Sequence, residues 1–160
     1  MPSRLALFGA VACIALGACG GTTPARQDRT AAVYTAILRV VLLRSDQDAV
    51  VFVAPFPDQK SVSLETQVTV IRNLADETKI RFVDAISEAV DADTVGSPAK
   101  EGTVVELGPV PPAGTSVQVE AERYESEDAR TGIRFQVNAV DDQWHAEVVD
   151  EHTIPPSTSP

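Results

Sequence analysis

Apolar residues recur along this chain in three rhythms, and each predicts a different kind of element. From Arg29 to Arg44 the spacing is helical: Val33, Ile37, Val40 and Val41 line one side, and Tyr34, Leu38 and Leu42 widen it. So broad an apolar face predicts a helix well buried against a sheet, with Asp28 as its N-cap. A second helical stretch starts at Ser63, with Leu64, Val68, Ile71 and Leu74 at i, i+4, i+7 and i+10 as its apolar stripe. Ala49 to Ala54 (AVVFVA) is instead a near-continuous apolar run, as in a strand buried on both faces, and Pro55 and Pro57 stop it. The third rhythm has a period of two. It predicts a short strand at Lys79 to Val83 and four more at Thr103 to Leu107, Ser116 to Tyr124, Gly132 to Val140 and Gln143 to Val149. Val117, Val119 and Ala121 fall on one face, with Gln118, Glu120 and Glu122 on the other, the pattern of a sheet packed on one side and solvated on the other. Asp141-Asp142 forms the tight turn between the last two strands. Asp84 to Val90 reads as a helical turn and Asp91 to Gly102 as a loop.

Helix, strand, helix, strand and then a C-terminal β-meander make an α+β domain over residues 29–154, with the N-terminal helix packed on a mainly antiparallel sheet. With Trp144 in the final strand, this order resembles the cystatin-like and NTF2-like α+β folds. That resemblance implies a curved sheet wrapped round a long N-terminal helix and a terminal hairpin. The strand-helix-strand unit from Ala49 to Val83 departs from the simplest version of the pattern.

The first residues carry a different signal. Arg4 precedes a run from Leu5 to Leu16 that is apolar or small throughout, which is the layout of an export signal and too short for the roughly 20 residues that span a bilayer. The run ends Leu16-Gly17-Ala18-Cys19, which resembles the lipobox of bacterial lipoproteins. The resemblance implies cleavage between Ala18 and Cys19, with residues 1–18 as signal peptide. It also implies acylation of Cys19, which attaches the chain to the lipid bilayer in an extracytoplasmic position at the cell membrane. Cys13 is then apolar filler in a discarded segment, and since the chain has 2 cysteines, the mature part has no thiol for a disulfide or a cysteine metal site. Residues 19–28 read as a lipidated, flexible tether and 155–160 as a disordered tail.

Composition sharpens this reading. Removing Arg4 with the leader leaves 12 basic against 23 acidic residues, a net charge of −11. That charge argues against nucleic acid and against anionic lipid surfaces as partners. Scarce lysine and abundant Ala, Val, Asp and Glu behind a lipobox resemble the layout of small lipoproteins of actinobacteria.

Candidate chemistry is sparse. Ser97-Pro98-Ala99-Lys100 has the S-x-x-K spacing of penicillin-binding proteins, but it lies in a Gly- and Pro-containing loop without the companion motifs. Asp91-Ala92-Asp93 begins like a calcium loop but has Val95 and Gly102 where ligands are required. His145 and His152 lie among Asp141, Asp142, Glu147, Asp150 and Glu151, yet a spacing of seven on one continuous strand turns the two rings to opposite faces. No catalytic residue, metal ligand or cofactor is therefore assigned. Tyr34, Phe135 and Trp144 are the candidates to line a ligand pocket. The chain is expected to be a non-catalytic binding or interaction module that meets an envelope protein or a small ligand. Two alternatives stay open: an envelope hydrolase or metal-dependent enzyme built near the last hairpin, and a small-molecule carrier with an apolar pocket.

Overall fold

The computed structural model describes residues 28–44, 50–91, 102–126 and 129–155. The expected signal peptide, Cys19, nearly all of the tether, the S-x-x-K segment and all but the first residue of the tail lie outside them. Helix α1 (Arg29–Leu42) is followed by β1 (Val50–Pro55), α2 (Leu64–Leu74), β2 (Lys79–Phe82), a single 3-10 turn (Ile86–Glu88), β3 (Thr103–Leu107), β4 (Ser116–Ser126), β5 (Ala129–Val140) and β6 (Gln143–Ile154). The strands form one open sheet in the order β2-β1-β3-β4-β5-β6. β1 pairs in parallel with both β2 and β3, and the remaining pairs are antiparallel. The protein is thus α+β, with two helices on a mixed, mostly antiparallel sheet.

Local chemistry accounts for the element ends. Asp28 caps α1, its Oδ1 accepting from the backbone N–H groups of Thr30 and Ala31 at 3.0 and 3.4 Å. Ser63 caps α2, its hydroxyl accepting from the Thr66 N–H at 3.2 Å. Each side chain satisfies donors that the first helical turn leaves without partners. Asp141 and Asp142 have φ of 50° and 61°. Two consecutive left-handed residues are what a two-residue type I′ hairpin requires, and Asp tolerates that region better than most residues.

Both helices lie on one face of the sheet and run in the same direction. Three side-chain contacts between them keep a constant offset of 38 residues: Thr66 donates to Asp28, Asn73 Nδ2 donates to Thr35 Oγ1 at 3.3 Å, and Arg39 Nε donates to Glu77 Oε1 at 2.9 Å. α1 lies over β5 and β6 with α2 beside it, and α2 also touches the edge strand β2. The core joins Val33, Ile37, Leu38 and Val41 of α1 to Val70 and Leu74 of α2 and to the inward residues of the sheet, among them Val51, Leu107, Val119 and Phe135. On the opposite face of the sheet, Val83, Ile86, Ala89 and Val90 fold over Phe52, Val104 and Tyr124 as a second, smaller core. β1 is consequently buried on both faces, as its unbroken apolar run predicts.

Three features differ from the sequence expectations. α2 buries only the last residue of the stripe that its spacing suggests: Leu74 faces the core, together with Thr66 and Val70. Leu64, Val68 and Ile71 are instead 74, 44 and 39% exposed. β6 runs on to Ile154 instead of ending at Val149, because β5 supplies a ladder partner along its whole length. A bulge also interrupts that ladder: Arg134 pairs with Asp150 and Phe135 with Val148, leaving Val149 as an extra residue.

Candidate functional site

A cleft of about 730 Å³ opens between α1, the C-terminal end of α2 and the β5–β6 turn. The helical period brings Ala32, Thr35, Ala36 and Arg39 to this side of α1, and the two alanines leave the room that larger side chains would fill. Asn73 closes one end, the type I′ turn brings Asp141 and Asp142 to the other, and Gln143 and Trp144 follow from the turn. The Arg29 guanidinium lies over the Trp144 indole, 5.1 Å from its centroid. Arg29 also donates to the carbonyls of Ala113 at 3.0 Å and Gly114 at 2.8 Å, and to that of Pro111. It thereby ties the start of α1 to the β3–β4 connection and holds Trp144 beneath it. On the α1 side, Arg39 pairs with Glu77 and donates to the Asn73 carbonyl at 3.2 Å. The cleft therefore offers methyl groups and an indole together with amide and carboxylate groups. Such a surface suits a small molecule or a partner's side chain that carries both an apolar part and hydrogen-bond donors.

Of the three residues expected to line a pocket, Trp144 lines this cleft. Tyr34 and Phe135 lie in the core, 3 and 1% exposed. The Tyr34 hydroxyl donates to the Gly108 carbonyl at 3.0 Å, and its pKa is pushed up to about 12, chiefly by burial and secondarily by the Asp28 charge. Gly108 is required where it stands, because an added Cβ would lie 2.7 Å from the Glu120 carbonyl oxygen.

The histidines are placed differently from expectation. His145 pairs with Asn138 and His152 with Gly132. Asn138 and Gly132 lie on the same side of β5, opposite the core residues Ile133, Phe135 and Val137. The extra residue at Val149 reverses the alternation of β6, so the two histidine positions share a face instead of opposing each other. Six residue steps along β5 nevertheless separate their partners, which is about 20 Å along a strand. His145 borders the cleft, whereas His152 borders a separate recess of about 350 Å³. Among the described residues, no three His, Cys, Asp or Glu side chains are placed to hold a metal ion.

One polar cluster escaped the sequence reading. On the sheet face away from the helices, Ala54, Glu106, Glu122, Gly132 and His152 form a single row across five strands. Glu106 and Glu122 are directly opposed, an arrangement that repels. Arg130 lies between them, with Nη2 3.2 Å from Glu106 Oε2 and Nε against Glu122 Oε1, in an ion pair that lacks hydrogen-bond alignment. Its guanidinium also covers the Tyr124 ring, 5.4 Å from the centroid. Glu106 is buried, and burial raises its pKa, as does Glu122, with Arg130 acting in the opposite sense. The available signal was a glutamate inside the apolar strand TVVEL; alternation assigns it to the outward face but not to burial there. Gly132 leaves a gap in the row, and the His152 ring leans over it: an added Cβ would come within 2.7 Å of Cε1 and Nε2.

The chain matches no family model, no curated protein and no solved structure.

Proposed function

We propose that this protein is a lipid-anchored extracytoplasmic binding module, attached to the membrane through acylated Cys19, that recognises a small ligand or a partner's side chain in the cleft beside α1. The observation that carries the reading is Leu16-Gly17-Ala18-Cys19 closing a short apolar run, followed by a folded domain that begins about ten residues later. The small residues before the cysteine suit a peptidase groove, and two or three acyl chains anchor firmly because each buried CH₂ contributes about 0.8 kcal/mol. No helix among the described residues is long and apolar enough to cross a membrane.

Two measurements test the halves separately. Metabolic labelling with a radioactive fatty acid should mark the wild-type chain and fail to mark Cys19→Ala; persistent label in the variant refutes the anchor. Trp144 is the single tryptophan, so its fluorescence reports occupancy of the cleft directly. Extracts of envelope metabolites and peptides should change that emission, and Val40→Phe, which projects a ring into the cleft, should abolish the change. A response that survives Val40→Phe places recognition elsewhere.

A further inference from the structure

From the outward face of α2, we infer that this helix lies on the bilayer to which the chain is anchored, with Leu64, Val68 and Ile71 in the interfacial layer; this rests on the acylated-Cys19 reading. Those three side chains recur at helical spacing beside the buried residues Thr66, Val70 and Leu74, with Ile71 one turn before Leu74, and all three are exposed. Ala75, one turn beyond Ile71, extends the line and is exposed as well. Glu65 and Arg72 lie along one side of it, one charge of each sign. α2 thus carries one broad apolar surface, of which the domain covers only the side formed by Thr66, Val70 and Leu74.

The way the chain enters the domain identifies what meets the rest. Asp28, the first described residue, caps α1 and accepts from the Thr66 hydroxyl in the first turn of α2. The two helices run in parallel, so both begin at the end where the chain arrives from Cys19. Nine residue steps separate Cys19 from Asp28, at most about 32 Å of extended chain. The 11 residues of α2 measure about 16 Å. An anchored Cys19 therefore keeps the whole stripe within reach of the lipid surface. Tethering also makes the contact intramolecular, at an effective concentration on the order of millimolar, so three modest side chains are enough to bias the orientation.

Other occupants fit less well. Gly20 to Gln27 (GGTTPARQ) is mostly polar and offers no apolar partner for the stripe. A second copy of the chain would need an interface of roughly 1,200–2,000 Å² to be stable, far more than one line of side chains on a three-turn helix supplies. A bilayer has no such threshold, since each apolar side chain partitions independently.

The mature chain's only native thiol is consumed by acylation, so a single introduced cysteine can be labelled cleanly. Lipidated protein carrying Val68→Cys is labelled with an environment-sensitive fluorophore and reconstituted in phosphatidylcholine vesicles. A second preparation carries Gln118→Cys, on the exposed sheet face. The expected result is a blue shift and a several-fold intensity rise for the label at 68, none at 118, and loss of the shift on adding Leu64→Ser and Ile71→Ser. Protein that floats with the vesicles while both labels report water overturns the docking but leaves the anchor standing. Protein that does not float, and whose Cys19 still reacts with the label, overturns both. A shift at 68 that depends on protein concentration and persists without vesicles shows self-association and also overturns the docking.

Discussion

α1 and α2 carry apolar residues at the same spacing and have side-chain caps of the same kind, yet they are buried to very different degrees. In α1 every residue from Ala31 to Leu38 is buried, because sheet lies beneath it and α2 lies alongside. α2 buries only Thr66, Val70 and Leu74, because its neighbours are one helix and the four-residue edge strand β2. Periodicity reports that an apolar face exists; the number of neighbours decides whether it is covered. A helix packed between the long β5–β6 hairpin and a second helix is enclosed, and one flanked by a single helix and a short edge strand keeps another side open to whatever the molecule meets.

The same charge placed in each helix separates the two cases most strongly. Ile37→Asp is expected to unfold the domain, since burying an unpaired carboxylate costs several kcal/mol against a total stability of about 5–15 kcal/mol. Ile71→Asp should change stability by no more than about 0.5 kcal/mol, as for ordinary surface substitutions. Thermal melts of the two variants check this, and equal losses would mean that α2 is as enclosed as α1.

Alkaline titration gives the next effect. Because the folded pKa of Tyr34 is raised to about 12, from about 10 in the unfolded chain, its stabilising contribution is intact below pH 10. It is lost progressively as the pH rises to 12, a decline of about 2–3 kcal/mol. Tyr34→Phe should remove that decline, while its loss of the hydrogen bond to Gly108 lowers stability at neutral pH by about 1 kcal/mol. Denaturant midpoints measured from pH 8 to 12 decide the point; identical slopes for the two proteins would show that the phenol does not sense burial.

Capping distinguishes the helices more finely. Asp28→Ala removes both the α1 cap and the acceptor of Thr66, and should cost about 1–2 kcal/mol, whereas Ser63→Ala should cost about 1 kcal/mol. The order of these losses, read by urea denaturation, reports whether the Asp28–Thr66 contact couples the helix starts. The smallest effect belongs to the outward face: Leu64→Ser with Val68→Ser should leave the thermal midpoint of the domain in solution nearly unchanged, since neither side chain packs in the core.

Most of the element order was legible in sequence because it rests on short-range signals. Caps, prolines, the aspartate pair of the hairpin and the two periodicities all act within a few residues, and each element was recognised, with boundaries shifted by a few positions. The length of β6 was not legible: its apolar alternation fades after Val149, and only the length of β5 opposite shows that pairing continues to Ile154. Nor was the shared face of His145 and His152, because one unpaired residue reverses the alternation and nothing in the local sequence announces it. The cleft depends on contributions from α1, α2 and the β5–β6 turn, which lie as far apart as Ala32 and Ala146 in the chain. Burial of Glu106 depends likewise on Glu122 and Arg130 from neighbouring strands.

By itself, then, the sequence determined which segments become helix or strand, the α+β class, the acidic charge and the Leu16–Cys19 motif, all properties of composition or of neighbours along the chain. Only the tertiary structure decided which helix face is covered, which strand register holds and which side chains converge, because each depends on residues brought together by packing, and packing energies are summed over neighbours in space.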